Sequence, residues 1–163
     1  VGTDYAAIEA INYWDATTQS WFSAVYYPDF EIWDPDFAVE SGDVLMITTP
    51  SSFAFYSIGD MPAQNAQYPL VAGLNTIMVP LNRSDLTFAS ELGTEIASAE
   101  AVNTWDAPTQ SWFSAVYYPD FEIWDPDFSV SIGMPLMSTV LTPSTWPTGP
   151  RGIGSFGLKQ SKN

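Results

Sequence analysis

Cysteine and histidine are both missing from this chain of 163 residues. Their absence excludes disulfides, thiolate nucleophiles, imidazole bases and the ordinary zinc and copper sites. Basic residues are scarce too. Four Lys and Arg stand against nineteen acids, a net charge of −15, which argues against nucleic acid or an anionic membrane as partner. Long apolar runs are also lacking: "DVLMI" and "TIMVPL" fall far short of the ~20 residues that span a bilayer. Cations, neutral glycans and basic protein surfaces remain as possible partners.

What is present is apolar and aromatic. Hydrophobic residues make up 46% of the chain and aromatics 15%, enough to exclude a disordered chain and to build a core in one large or two small domains. The few bases are unevenly placed. Residues 1–150 hold all nineteen acids and only Arg83, leaving −18, whereas residues 151–163 hold Arg151, Lys159 and Lys162 with no acid, giving +3. A split of this kind marks an interaction tail or a solvated extension.

The segment "TQSWFSAVYYPDFEIWDPDF" occurs twice without a difference, at residues 18–37 and 109–128. The duplication extends further at an offset of 91. "VGTDYAAIEAINYWDATTQSW" (1–21) aligns with "LGTEIASAEAVNTWDAPTQSW" (92–112), and "DFAVESGDVLM" (36–46) with "DFSVSIGMPLM" (127–137). After a two-residue insertion, "TPSSF" (49–53) answers "TPSTW" (142–146). A repeat this long is a small domain, so two modules of one fold are expected: residues 1–70 and 71–150, followed by a tail at 151–163.

Local signals within each module are those of β structure. "AINYW" and "SWFSAVYY" read as strands of a hairpin around an Asp-led turn. "YYPDFEIWDPDF", with two prolines and four acids, reads as a loop. "FAVESGDVLMITTP" predicts a strand on each side of a Ser-Gly turn, "SSFAFYSI" a further strand, and "AGLNTIMVPL" (72–81) the most hydrophobic strand. One short helix is predicted, with Ser84 as N-cap, Asp85 in the first turn, Leu86, Ala89 and Leu92 on one face, and Gly93 at C′. The expected fold class is mainly β, two sandwich-like modules with one helix.

In the alignment Val1-Gly2 stands opposite Leu92-Gly93, so the first module lacks a counterpart of residues 71–91, its most apolar strand and the body of its helix. A sheet short of a strand exposes unpaired backbone groups, each costing roughly 1–3 kcal/mol when buried without a partner. The tail "RGIGSFGLKQSKN" is the candidate filler, since Ile153, Phe156 and Leu158 among glycines suit an extended segment in a groove. Arg151, Lys159 and Lys162 suit an acidic acceptor. The tail can fold back on its own first module or enter the next subunit and build a head-to-tail fibre; a piece of a longer repeat array is the third possibility. The fibre is the preferred expectation.

"GLNTIMVPL" (73–81), "NYWDATTQSW" (12–21), "NTWDAPTQSW" (103–112), "FAVESGDVLMI" (37–47) and "FSVSIGMPLM" (128–137) together resemble the β-rich tandem repeats of large bacterial and archaeal cell-surface proteins. Those repeats run from a "GWNLISLP"-type strand through a helix to "YWDATTQSW" and "F-x-L-x-x-G-x-G-Y". This chain has Leu74 where they usually have Trp, and Asp43 and Met134 where they tend to have Gly. The resemblance implies an extracellular or cell-surface location and a structural or adhesive role, and it brings no catalytic residues.

Each identical copy carries four acids: Asp29, Glu31, Asp34 and Asp36, then Asp120, Glu122, Asp125 and Asp127. Paired carboxylates of a glycosidase are one reading, but no supporting groups accompany them, and no enzyme is expected. Calcium is another, because hard oxygen ligands crowd one loop, although the order matches no EF-hand. A third is a contact surface in which Tyr27, Trp33, Tyr118 and Trp124 meet a neighbour or stack on glycan. The plainest is packing of the aromatics beneath solvated acids. Asn82-Arg83-Ser84 is an N-glycosylation sequon. The expectation is a structural subunit of an extracellular filament or surface layer, with a monomeric glycan-binding adhesin as the rival.

Overall fold

The computed structural model describes residues 8–40, 42–52, 67–81 and 83–148. The fold is mainly β and consistent with a sandwich-like arrangement, with antiparallel sheets and one helix. β1 (Ala10–Asp15), β2 (Ser20–Tyr27), β3 (Ile32–Asp34) and β4 (Leu45–Thr48) form a four-stranded sheet in the order β3-β2-β1-β4. β5 (Tyr68–Leu70) follows, then β6 (Gly73–Met78), α1 (Ala89–Glu95), β7 (Ala99–Asp106), β8 (Ser111–Tyr118), β9 (Ile123–Asp125), β10 (Pro135–Val140) and β11 (Ser144–Trp146). The second large sheet runs β6-β10-β7-β8-β9, and β11 pairs with β5 in a two-stranded sheet. None of the helices among the described residues is long and apolar enough to cross a membrane.

The two modules repeat in register as well as in order. Trp14 faces Trp21 across β1 and β2 as Trp105 faces Trp112 across β7 and β8. These indole pairs meet edge to face at 5.3 and 5.2 Å. The Asp-led turn forms as expected. Asp15 Oδ1 accepts from Thr17 N–H at 2.8 Å, and Thr18 Oγ1 donates to Asp15 Oδ2 at 2.8 Å. Gln19 then takes the left-handed conformation, φ 53°, that turns the chain into β2. Pro108 stands in place of Thr17 and has no N–H to donate, but Thr109 Oγ1 still bonds Asp106 Oδ2.

Four local expectations need correcting. The stretch read wholly as a loop contains β3 and β9. A turn at residues 28–31, closed by left-handed Glu31 (φ 55°), reverses the chain so that Tyr26 pairs with Trp33. The arm at residues 37–40 is not a strand; in the second copy only Ser129 bridges, to Phe88. The helix begins five residues after Ser84, which lies in a turn. Its start is set by Glu91 Oε2, accepting from Thr87 N–H (2.7 Å) and Phe88 N–H (3.0 Å), and by Asp127, accepting from Ser90 N–H at 3.0 Å. Gly93 is not at C′ but inside the helix, because Trp124 lies over it: a Cβ there would sit 2.4 Å from the ring. Most of the "SSFAFYSI" segment, residues 53–58, lies outside the described residues.

Among the described residues, the main buried cluster sits in the second module. Ile77, Val79, Ala89, Leu92, Val102 and Ala115 are fully buried there together with Trp146 and Leu70. β5, on the first-module side of a boundary at residue 70, therefore packs and pairs with the second module through β11. Arg83 is buried beside that core. Its guanidinium bonds Asp85 (2.8 and 2.7 Å) and Glu95 (2.7 and 2.5 Å), which tie the turn before α1 to the last turn of the helix. The two carboxylates raise its pKa above the ordinary guanidinium value.

Candidate functional site

β4 and β10 are the same strand in the two modules, and their surroundings differ. β10 is paired on both sides, by β7 and by β6. β4 pairs with β1 on one side, and among the described residues no strand pairs with the other. The effect on identical side chains is direct. Leu136 and Met137 are 2% and 4% exposed, whereas Leu45 and Met46 are only half-buried. Ile47 is 38% exposed where Ser138 is fully buried. An open edge with apolar side chains is the arrangement that takes up another strand.

Along this edge runs a groove of about 360 Å3. Residues 44–49 line it together with Trp21 and Thr76, the β7–β8 hairpin residues Trp105, Ala107, Gln110 and Trp112, and residues 135–137 of β10. Most of that lining is apolar.

The first module shows what such a hairpin tip does. Gln19 reaches the start of β6 and pairs with Leu74 as a strand residue would. Leu74 N–H donates to Gln19 Oε1 at 2.7 Å, and Gln19 Nε2 donates to Leu74 O at 2.9 Å. Trp14 Nε1 donates to the same carbonyl at 2.7 Å. Gly73, φ +106°, passes so close beneath that a Cβ would lie 2.5 Å from Gln19 Oε1. The left-handed backbone and the close approach both require glycine. Gln19 is itself held by donating to Ala16 O at 2.6 Å. A further bond joins the modules: Tyr68 Oη donates to Gly42 O at 3.2 Å. Burial, with Asp43 nearby, pushes the Tyr68 hydroxyl pKa up.

The second hairpin tip holds the same pose. Gln110 has φ 52° and donates to Ala107 O at 2.6 Å. Among the described residues, Gln110 Oε1 and Trp105 Nε1 meet no counterpart of Leu74, and both residues line the groove. This duplicated clasp went unread in the sequence. In the sequence, "WDATTQSW" and "WDAPTQSW" register as hairpin turns alone.

The aromatic-acidic loops lie elsewhere, at the outer edges formed by β3 and β9. Tyr27 and Tyr118 are each 44% exposed, while Phe30 and Phe121, at 73% and 72%, are the most exposed aromatics described. Trp33 and Trp124 are half-buried and meet Tyr26 and Tyr117 at 5.3 Å with their rings tilted by 42° and 41°. Trp124 also packs against the core. The acids do not converge: among the described residues no group of three could hold a metal ion. Glu31 and Glu122 close turns, Asp127 caps α1, and Asp36 bonds the N–H of Phe37. Asp29 and Asp120 lie in those turns, and Asp34 and Asp125 end β3 and β9, paired with Val25 and Val116. Asn82, Arg151, Ile153, Phe156, Leu158, Lys159 and Lys162 lie outside the described residues.

Comparison with known proteins gives no matching family model, no matching curated protein and no matching solved structure.

Proposed function

We propose that this chain is a structural subunit that assembles head to tail by strand addition, as part of an extracellular filament or surface layer. The observation that carries the reading is the edge of β4 that no strand among the described residues pairs, beside β10, which is paired on both sides. The donor is the basic tail at 151–163, whose +3 charge complements a body of −18. Contacts of this heterologous kind continue into a fibre unless they close a ring. The extracellular setting follows from the resemblance to surface repeats. No catalytic role is assigned.

A second reading has its own observation. Phe30 and Phe121, with Tyr27 and Tyr118 beside them, form a matched pair of exposed aromatic patches, suited to stacking on sugar rings. On that reading the chain is a monomeric surface adhesin. Electron microscopy and light scattering of the full chain and of a chain ending at residue 150 separate the two. Filaments formed only by the full chain are expected. Monomers in both samples, with glycan binding lost when Phe30 and Phe121 become Ala, would transfer the function to the loops.

A further inference from the structure

We propose that residues 152–158 of a second copy fill the groove beside β4 in one fixed register, with Gly152 beneath Gln110 and the Ile153 backbone clasped by Gln110 and Trp105. The proposal rests on the strand-addition reading and specifies its partner and geometry.

The chain contains one occupied example of this site, and the tail matches its occupant. "GLNTIMV" (73–79) and "GIGSFGL" (152–158) share a glycine, then an apolar residue, a hydroxyl two further on, and apolar residues at the fifth and seventh positions. In the occupied site the fifth and seventh, Ile77 and Val79, are fully buried, and Phe156 and Leu158 fall there. The hydroxyl position, Thr76, becomes Ser155. The match departs at Gly157, which replaces Met78, and at Gly154, which replaces Asn75, a side chain that closes the turn from Val71. At the first position only glycine fits under the clasping glutamine, and the tail has Gly152 there. The clasp awaiting it is already posed, since Gln110 repeats the backbone angle and the carbonyl bond of Gln19.

The pairing follows from the repeat. Thr76 stands opposite Met137 and Leu74 opposite Thr139. Asn12 and Asn103 pair with Met46 and Met137 in turn. Ser155 is therefore placed opposite Met46, Phe156 opposite Leu45 and Ile153 opposite Thr48.

Length assigns the strand to a neighbour. Pro147 O accepts from Gln67 Nε2 at 3.2 Å, and Gln67 shares a cavity with Gly42, Asp43 and Val44. The chain thus leaves the second module near the Val44 end of β4. The register places Gly152 at the Thr49 end, five residues away, about 17 Å at ~3.3 Å per residue. The four steps from Thr148 to Gly152 span at most about 14 Å. This short reach favours a neighbour's tail over the chain's own.

The lack of cysteine makes the test direct. Full-length protein carrying Met46→Cys and Ser155→Cys is oxidised mildly, and the products are resolved by denaturing electrophoresis. A parallel sample carries Met46→Cys and Ile153→Cys, two residues out of register on the same face. The expected result is a ladder of multimers from the first pair and little from the second. Gly152→Ala is expected to raise the critical concentration for assembly at least ten-fold. A ladder only from the Ile153 pair overturns the register while leaving strand addition standing. A disulfide closed within single chains overturns the assignment to a second copy. An unchanged critical concentration in Gly152→Ala overturns the clasp. Absence of any oligomer in the full-length protein defeats this proposal and the strand-addition reading together.

Discussion

Replacing Gly73 by alanine tests how the two modules are joined. Two costs are combined in Gly73→Ala. The backbone at φ +106° is strained for any side chain, at about 1–3 kcal/mol. The new Cβ would also displace the Gln19 amide from 2.5 Å, breaking its two bonds to Leu74. These are solvent-exposed bonds, together about 1–2 kcal/mol. The single variant should therefore lose about 3 kcal/mol, and Gln19→Ala alone about 1–2 kcal/mol. Once Gln19 is gone its bonds cannot be lost again, so the double variant should lose no more than Gly73→Ala. Urea unfolding of the four proteins gives the cycle, and the expected coupling of about 1–2 kcal/mol exceeds the scatter of about 0.3–0.5 kcal/mol seen for independent sites. Strict additivity would mean that Gln19 and Gly73 do not interact, and the inferred clasp on Gly152 would lose its precedent.

Other perturbations have equally definite outcomes. Gly93→Ala, which helix propensity alone would make about 1 kcal/mol stabilising, should instead destabilise by about 1–2 kcal/mol through overpacking, because Trp124 occupies the Cβ position; unfolding followed by tryptophan fluorescence reads the sign. Arg83→Met should cost about 2–3 kcal/mol by removing the guanidinium that half-buried Glu95 bonds at the end of α1, and Arg83→Lys should recover less than half of that, since one ammonium cannot replace two bidentate contacts. Hydrogen bonds, chiefly from the Thr18 side chain, hold the Asp15 pKa below the usual carboxylate range, and backbone N–H groups of Thr87 and Phe88 do the same for Glu91. Folded-state pKa values that are depressed give stability present above the unfolded value near 4 and lost as pH falls through the folded one. The difference in urea midpoint between the native chain and Asp15→Asn/Glu91→Gln should be constant at neutral pH and shrink below about pH 4; a difference that persists at low pH would contradict the assignment.

The readable part of the fold was the part encoded locally or by repetition. Asp15 bonds within its own turn, so the hairpin could be seen in "DATTQ". The repeat itself was visible because the two copies share an unbroken stretch of sequence, residues 18–37 and 109–128. The helix start was misjudged because Ser84 is a fine cap in isolation, while the residues that set the start include Asp127, distant in sequence. β3 was hidden by flanking prolines, and a three-residue strand held by one aromatic pair leaves no periodicity to find. The clasp was beyond reach for the same reason: the partner of Gln19 lies 55 residues away, and nothing in "TTQSW" points to it. Gly93 shows the reverse error, a glycine read as a helix stop that is kept small by a tryptophan from the repeated loop.

The central claim is that the outer edge of β4 takes up a strand from the tail. Hydrogen–deuterium exchange of β4, compared between the full chain at assembling concentration and a chain ending at residue 150, tests it most directly. The β4 amides that do not bond β1 should be protected in the full chain, approaching β10, and should exchange rapidly in the shortened one. Equal exchange in the two samples would mean that the tail never reaches this edge, and the account of assembly would fail.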